Sequence, residues 1–266
     1  MELLLDAESQ IETWQEVILD YNSALKQIQT KLEILNDEFQ HVHQYNPIEH
    51  IKSRIKTSES IVKKLRRHGY ESTIENMVKY VNDIAGIRVI CSFTSDIYRI
   101  AEMIRLQNDI HVIAVKDYIR LPKASGYKSY HMLVTVPVFL SDRTVDVKVE
   151  IQIRTVAMDF WASLEHKINY KFDGAVPEGL LSELKDAADS AAALDARMAR
   201  AARPIRLLSL ASWPASEQQA FLAGWARGNP RLPAYAYPKH DFSDARREFA
   251  AIAAAADPAH PLGVYL

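Results

Sequence analysis

The stretch VDVKVEIQIRT, Val145–Thr155, alternates strictly between apolar and polar side chains. Val147, Val149, Ile151 and Ile153 fall on one side of an extended chain, and Lys148, Glu150, Gln152 and Arg154 on the other. This pattern predicts a strand with one buried face. The polar face carries an acid, an amide and two bases, more chemistry than a solvated strand surface needs. In a sheet covered by helices such a row must line a cleft or cover an edge.

Working outward, YHMLVTVPVF precedes this strand and is joined to it by the short SDRT, as in a hairpin. DIHVIAVKDY and DIAGIRVICSF read as two more strands, and EHIKSRIK as a short one. Between them lie helical segments. One runs from about Ser58 to His68, with Ser58 as the expected cap and Gly69 just past its basic end. Another is SDIYRIAEMIRLQ, with Ser95 as the expected cap. AMDFWASLEHKINYKF and the helix that follows Pro177 close the series. At the other end, Ile11, Trp14, Val17, Ile18, Tyr21, Leu25, Ile28, Leu32 and Leu35 form a single apolar stripe on a long helix from about Glu8 to Glu38. The order implies an α+β or mixed α/β fold with one sheet covered by helices.

A chain of 266 residues can bury a sizeable core without covalent staples. The net charge of −2 excludes a chain-wide basic field for nucleic acid, so any basic site must be local. The single cysteine, Cys91, sits in an apolar run and reads as a buried structural thiol. A reducing, cytoplasmic setting is expected. The N-terminus lacks the basic region of a signal peptide, and no segment approaches the ~18 apolar residues of a membrane span.

Three groups of residues surround the polar row. Asp83 stands at the start of DIAGIRVI, with Gly86, where a ligand can approach the backbone, and Arg88 further along. Two carboxylates on neighbouring strands, Asp83 and Glu150, are the usual minimum for a nucleotide-bound Mg²⁺. In SRIKTSESIVKKL, Arg54 and Lys56 alternate on a strand, and Ser60 and Lys64 share a helix face. The loop VKDYIRLPKASGYKSYH places Lys116 and Lys123 within reach of phosphates, Tyr127 for stacking on a base, and His131 for hydrogen bonding.

Together, HIKSRIKTSESIVKKL, NDIAGIRVICSF, VKDYIRLPKASGYKSYH and VEIQIRTVAMDFWASLEHKINYKF closely resemble the synthetase domain of the RelA/SpoT family. The likeness is greatest to its small stand-alone alarmone synthetases of the RelQ type, and covers roughly Asp6 to Met198. No His-Asp motif of the family's hydrolase domain precedes it. The resemblance implies a nucleotidyltransferase-like mixed sheet and transfer of the β,γ-pyrophosphate of ATP to the 3′-hydroxyl of GDP or GTP. It assigns Arg54, Lys56, Ser60, Lys64 and Arg88 to ATP, and Asp83 and Glu150 to Mg²⁺, with Glu150 also as the base. It assigns Lys116, Lys123, Ser125, Tyr127, His131, Gln152 and Arg154 to the acceptor. It also implies a homotetramer, allosteric binding of (p)ppGpp and single-stranded RNA as a partner.

Two features depart from the family. Ala124-Ser125 stand where Pro-Asn is common, and Ser125 keeps a hydrogen-bonding group there. After residue 198 lysine nearly vanishes while alanine, arginine and proline rise. Residues 1–198 are therefore expected to form the synthetase domain, and 199–266 an extension, a fragment of an unrelated domain. Two alternative functions fit the same residues. One is a related pyrophosphokinase acting on adenine nucleotides or tRNA; the other is a non-catalytic nucleotide- or RNA-binding regulator.

Overall fold

The structure, a computed structural model, describes residues 2–42, 45–172 and 176–202; the side chains of residues 2–12 and 169–171 lie outside the description. Its elements run α1 (Glu2–His41), β1 (Ile48–Ile55), α2 (Ser58–Arg67), α3 (Ile74–Tyr80), β2 (Ala85–Cys91), α4 (Thr94–Arg105), β3 (His111–Asp117), β4 (Tyr130–Phe139), β5 (Thr144–Thr155), α5 (Val156–Lys171) and α6 (Glu178–Ala201). The five strands form one sheet in the order β1-β2-β5-β4-β3. Only β2 and β5 run parallel; the other neighbours are antiparallel. The expected mixed α/β architecture is present, and β5, with its alternating sequence, is the central strand.

One face of the sheet is apolar. Ile87 and Val89 of β2, Val134 and Val136 of β4, and Val149, Ile151 and Ile153 of β5 are all buried there. Helix α1 packs across β1, β2, β4 and β5, burying Tyr21, Leu25, Ile28 and Leu32. Helix α4 adds Ile97, Ile100 and Ile104. The alternation of β5 thus reflects one-sided burial: its polar row has nowhere to go but the opposite face.

The hairpin expected at SDRT is present: Phe139 pairs with Thr144, and the Leu140 N–H donates to the Arg143 carbonyl (2.8 Å). Gly69 closes α2 with a φ of 77°, as the N–H groups of Gly69 and Tyr70 donate to Arg66 and Leu65. The caps differ from expectation. The N-cap of α2 is Thr57, not Ser58: Thr57 keeps an extended backbone and its Oγ1 accepts from the Ser60 N–H (3.4 Å). Helix α4 begins after Phe93 rather than at Ser95, and the Asp96 carboxylate accepts from the Phe93 N–H (3.2 Å). Helix α3, not singled out from sequence, is capped by Thr73.

The chain divides into a compact unit, Met1–Ala192, and a second, Ala193–Leu266. Of the second, the described residues are the last turns of α6. The expected boundary at 198 falls within that helix, and the extension from 203 onward lies outside the described residues. Among the described residues no helix is long and apolar enough to cross a membrane.

Candidate active site

Strand register places the candidate residues on one face. Across the sheet, Arg54 pairs with Gly86, Gly86 with Glu150, Arg88 with Gln152, Gln152 with His131, and His131 with Lys116. Partners in register point to the same side of a sheet. Arg54, Arg88, Glu150, Gln152, Arg154, His131 and Lys116 therefore share the polar face, opposite α1. Gly86 contributes no side chain between Arg54 and Glu150. A Cβ there would meet nothing nearer than the Arg54 carbonyl at 4.0 Å, so the backbone floor is open between the two.

On the β1 side, the Lys56 N–H donates to the Ile84 carbonyl (2.8 Å), extending the ladder beyond β1 and bringing Lys56 beside Asp83. The Lys56 and Lys64 ammonium groups each donate to one Asp83 oxygen, at 2.9 and 2.7 Å. Burial alone would raise the Asp83 carboxyl, but the bonds from Lys64 and Lys56 outweigh it and hold it below its ordinary range. Ser60 shares the α2 face of Lys64, but its hydroxyl accepts from the capping Thr57 hydroxyl (2.9 Å).

At the centre, burial would likewise raise Glu150. The hydrogen bond from His131, with a bond from Gln152 (2.8 Å), brings it below the usual value against the opposing charge of Asp83. Arg154, which can only donate, bonds the Tyr127 hydroxyl (2.7 Å). That hydroxyl lies 2.8 Å from His131 Nε2, and His131 Nδ1 lies 3.3 Å from Glu150. One arrangement of protons satisfies every member: Tyr127 donates to Nε2, and Nδ1–H donates to the carboxylate.

Arg154 is buried and its donors are taken up by Ser129, Asp159, Tyr127 and Gln152. It sits in the cluster as a hub rather than as an exposed cation. Asp159, in the first turn of α5, also accepts from Arg88 (3.0 Å). Sequence reading passed over Asp159, the buried Ser129 and Tyr118. The available signal for Asp159 was its place in the helix turn that follows the polar strand.

The loop from Tyr118 to Tyr127 forms the far wall. Lys123 does not extend away from its aromatics: its ammonium lies 4.9 and 4.7 Å from the ring centroids of Tyr118 and Tyr127. Ser125 is exposed. Gly126 turns the loop at φ 88°, and a Cβ there would come within 2.6 Å of Ala188 Cβ. Helix α6 thus backs the loop. It is anchored in turn by Trp161, whose indole N–H donates to the Leu184 carbonyl (2.8 Å). Tyr127 packs against this Trp161–Ala188 cluster.

Such a face can align two polyanionic ligands, one over Arg54, Lys56, Lys64 and Arg88, the other over Lys116 and Tyr127. Two ionised carboxylates stand between them. Residues 53–175 match the family model described as the region found in RelA/SpoT proteins. The chain is 49% identical over 193 residues to the GTP pyrophosphokinase YwaC of Bacillus subtilis (strain 168), spanning 73% of this chain and 92% of that protein. The crystal structure of small alarmone synthetase 2 from B. subtilis superposes with a TM-score of 0.66 at 47% identity, covering 71% of this chain and 98% of that one. That of small alarmone synthetase 1 bound to its product pppGpp gives 0.67 at 35% identity, covering 71% and 96%. The chain therefore belongs to the RelA/SpoT family, alongside its small alarmone synthetases.

Proposed function

We propose that this protein is a GTP pyrophosphokinase, an alarmone synthetase that transfers the β,γ-pyrophosphate of ATP to the 3′-hydroxyl of GDP or GTP. The 3′-oxygen attacks the β-phosphorus, the bond from that phosphorus to the α-bridging oxygen breaks, and AMP leaves. The product is ppGpp or pppGpp. The observation that carries this reading is the pair Asp83 and Glu150. Both are held ionised on the polar face, between a cationic wall and an aromatic one.

Arg54, Lys56, Ser60, Lys64 and Arg88 take the donor, neutralising its phosphates. Lys116, Lys123, Ser125, Tyr127, His131, Gln152 and Arg154 serve the acceptor. Of these, Tyr127 stacks on the guanine after Lys123 swings from its ring to the phosphates. Arg154 acts through Tyr127 and Gln152, which it holds. Glu150 accepts the proton of the 3′-hydroxyl, and His131 fixes the carboxylate for it. The donor set fits Mg²⁺, since two ionised carboxylates together with substrate phosphates are its usual ligands. Asp83 and Glu150 would hold the ion, which when bound spreads the charge of the transferring group. The remaining work is alignment and charge neutralisation by fixed side chains.

Several finer points belong to the same reading. The buried free thiol of Cys91 suits a cytoplasmic setting. A homotetramer, allosteric binding of (p)ppGpp, and single-stranded RNA held by a patch including Lys63, Arg66 and Arg67 extend it. Residues 1–198 form its synthetase domain, with 199–266 as a separate extension.

The test is turnover. Purified protein is incubated with ATP, Mg²⁺ and, separately, GDP, GTP or ADP, and products are resolved by anion exchange beside Glu150→Gln. A guanosine tetra- or pentaphosphate peak that disappears in the variant is expected. Product from ADP alone, or none from any acceptor, would overturn the reading.

A further inference from the structure

The donor and acceptor walls meet at one oxygen atom. Asp159 Oδ1 accepts from Arg88 Nη1 at 3.0 Å and from Arg154 Nη1 at 3.1 Å. The two guanidinium groups come from adjacent parallel strands, and their shared counter-ion comes from α5, which packs on both. Asp159 and Arg154 are largely enclosed, with side-chain exposures of 14% and 5%, while Arg88 is 28% exposed toward the donor wall. Two cations thus divide one carboxylate in a partly enclosed setting, where water screens them less than at the open surface.

The partners are unequally satisfied. Arg154 has four acceptors in all: Asp159, Tyr127, Gln152 and Ser129. Arg88 has Asp159, while its Nε is buried without an acceptor. An anionic ligand arriving beside Arg88 therefore offers that guanidinium more than it loses by leaving Asp159. Asp159 is then left to Arg154 alone. Arg154 in turn sets the Tyr127 hydroxyl and the Gln152 amide, both on the acceptor side.

We infer that Asp159 is a positioning residue that couples the two nucleotide sites, so that triphosphate bound at Arg88 tightens the binding of the guanine nucleotide through Arg154 and Tyr127. This rests on the assignment of Arg88 to the donor and Tyr127 to the acceptor. It adds a residue that touches neither nucleotide but makes the affinity of each depend on the other.

The experiment measures GDP affinity by calorimetry on the full chain with Mg²⁺, with and without an α,β-methylene ATP analogue. Wild type, Asp159→Asn and Tyr127→Phe are compared, with melting temperatures taken for each. Wild-type GDP affinity should rise about fivefold or more with the analogue, and this ratio should fall below about twofold in both variants. A merely structural loss would weaken GDP in both conditions and leave the ratio standing. That result, or a wild-type ratio of one, overturns the coupling. Should Asp159→Asn fail to fold, Tyr127→Phe decides alone: it keeps the ring for stacking and removes the hydroxyl that Arg154 holds. A wild-type chain that makes product from ATP and GDP but shows no coupling refutes this inference only. One that binds neither nucleotide refutes the site assignment beneath it.

Discussion

Lys56 and Lys64 both hold Asp83, so the cationic wall is redundant where the carboxylates are not. Removing one lysine leaves the other on the same carboxylate, whereas the proton-accepting role proposed for Glu150 rests on that single side chain. Glu150→Gln should lower kcat by about 10²–10⁴-fold with substrate KM values little changed. Lys64→Met should cost less, mostly in the KM for ATP; steady-state kinetics of the two variants check the order. The same carboxyls set an acid limit. Their ordinary values are 3.8 for Asp83 and 4.5 for Glu150, and both are lowered in the folded chain. A lowered carboxyl contributes stability that is complete above its ordinary value and is lost as pH falls through the folded one. Urea midpoints should therefore drop as pH is taken below the ordinary carboxylate range, and more gently in Asp83→Asn. An equal slope in that variant would deny Asp83 the role.

At the scale of elements, legibility follows from whether a signal is local. The alternation of β5 is a local record of one-sided burial, so both its buried face and its polar row could be read from eleven letters. Helix caps fail for the opposite reason. Thr57 and Ser58 offer the same hydroxyl, and only the backbone angle at the junction decides between them. Asp159 is less legible still, since an acid in a first helical turn is ordinary helix chemistry. Only the arrival of two arginines from β2 and β5 gives it a role. A glycine in a loop is a local turn signal, but the contact of Gly126 with α6 depends on a residue more than sixty positions away. That contact carries a prediction. Gly126→Ala puts a methyl within 2.6 Å of Ala188 Cβ and strains a φ of 88°, at a cost of about 1–2 kcal/mol for the backbone alone. The KM for GDP should rise while that for ATP stays, because the loop belongs to the wall proposed for the acceptor. Adding Ala188→Gly should restore part of the GDP affinity by removing the clash and not the strain. Identical kinetics with and without Ala188→Gly would mean that α6 does not set the loop.

For the whole molecule, the question is how much chain the chemistry needs. Every residue placed in the site lies between Arg54 and Asp159. Its backing through Trp161, Leu184 and Ala188 ends within the compact unit Met1–Ala192. The likeness to YwaC spans 92% of that protein with 73% of this chain, so that relative is of nearly the same extent as the compact unit and α6. A chain ended after Ala202 keeps α6 whole, which matters because Ala188 stands behind Gly126. It should retain the turnover, the GDP affinity and the melting temperature of the full chain. A chain ended before Glu178 lacks α6 and leaves Trp161 without its Leu184 carbonyl and Gly126 without its support. It should lose acceptor affinity before it loses donor affinity. Parallel assays of the three lengths, with size-exclusion chromatography to follow assembly, separate the contributions. Loss of activity on cutting after Ala202 would show that residues 203–266 supply something the site itself does not contain.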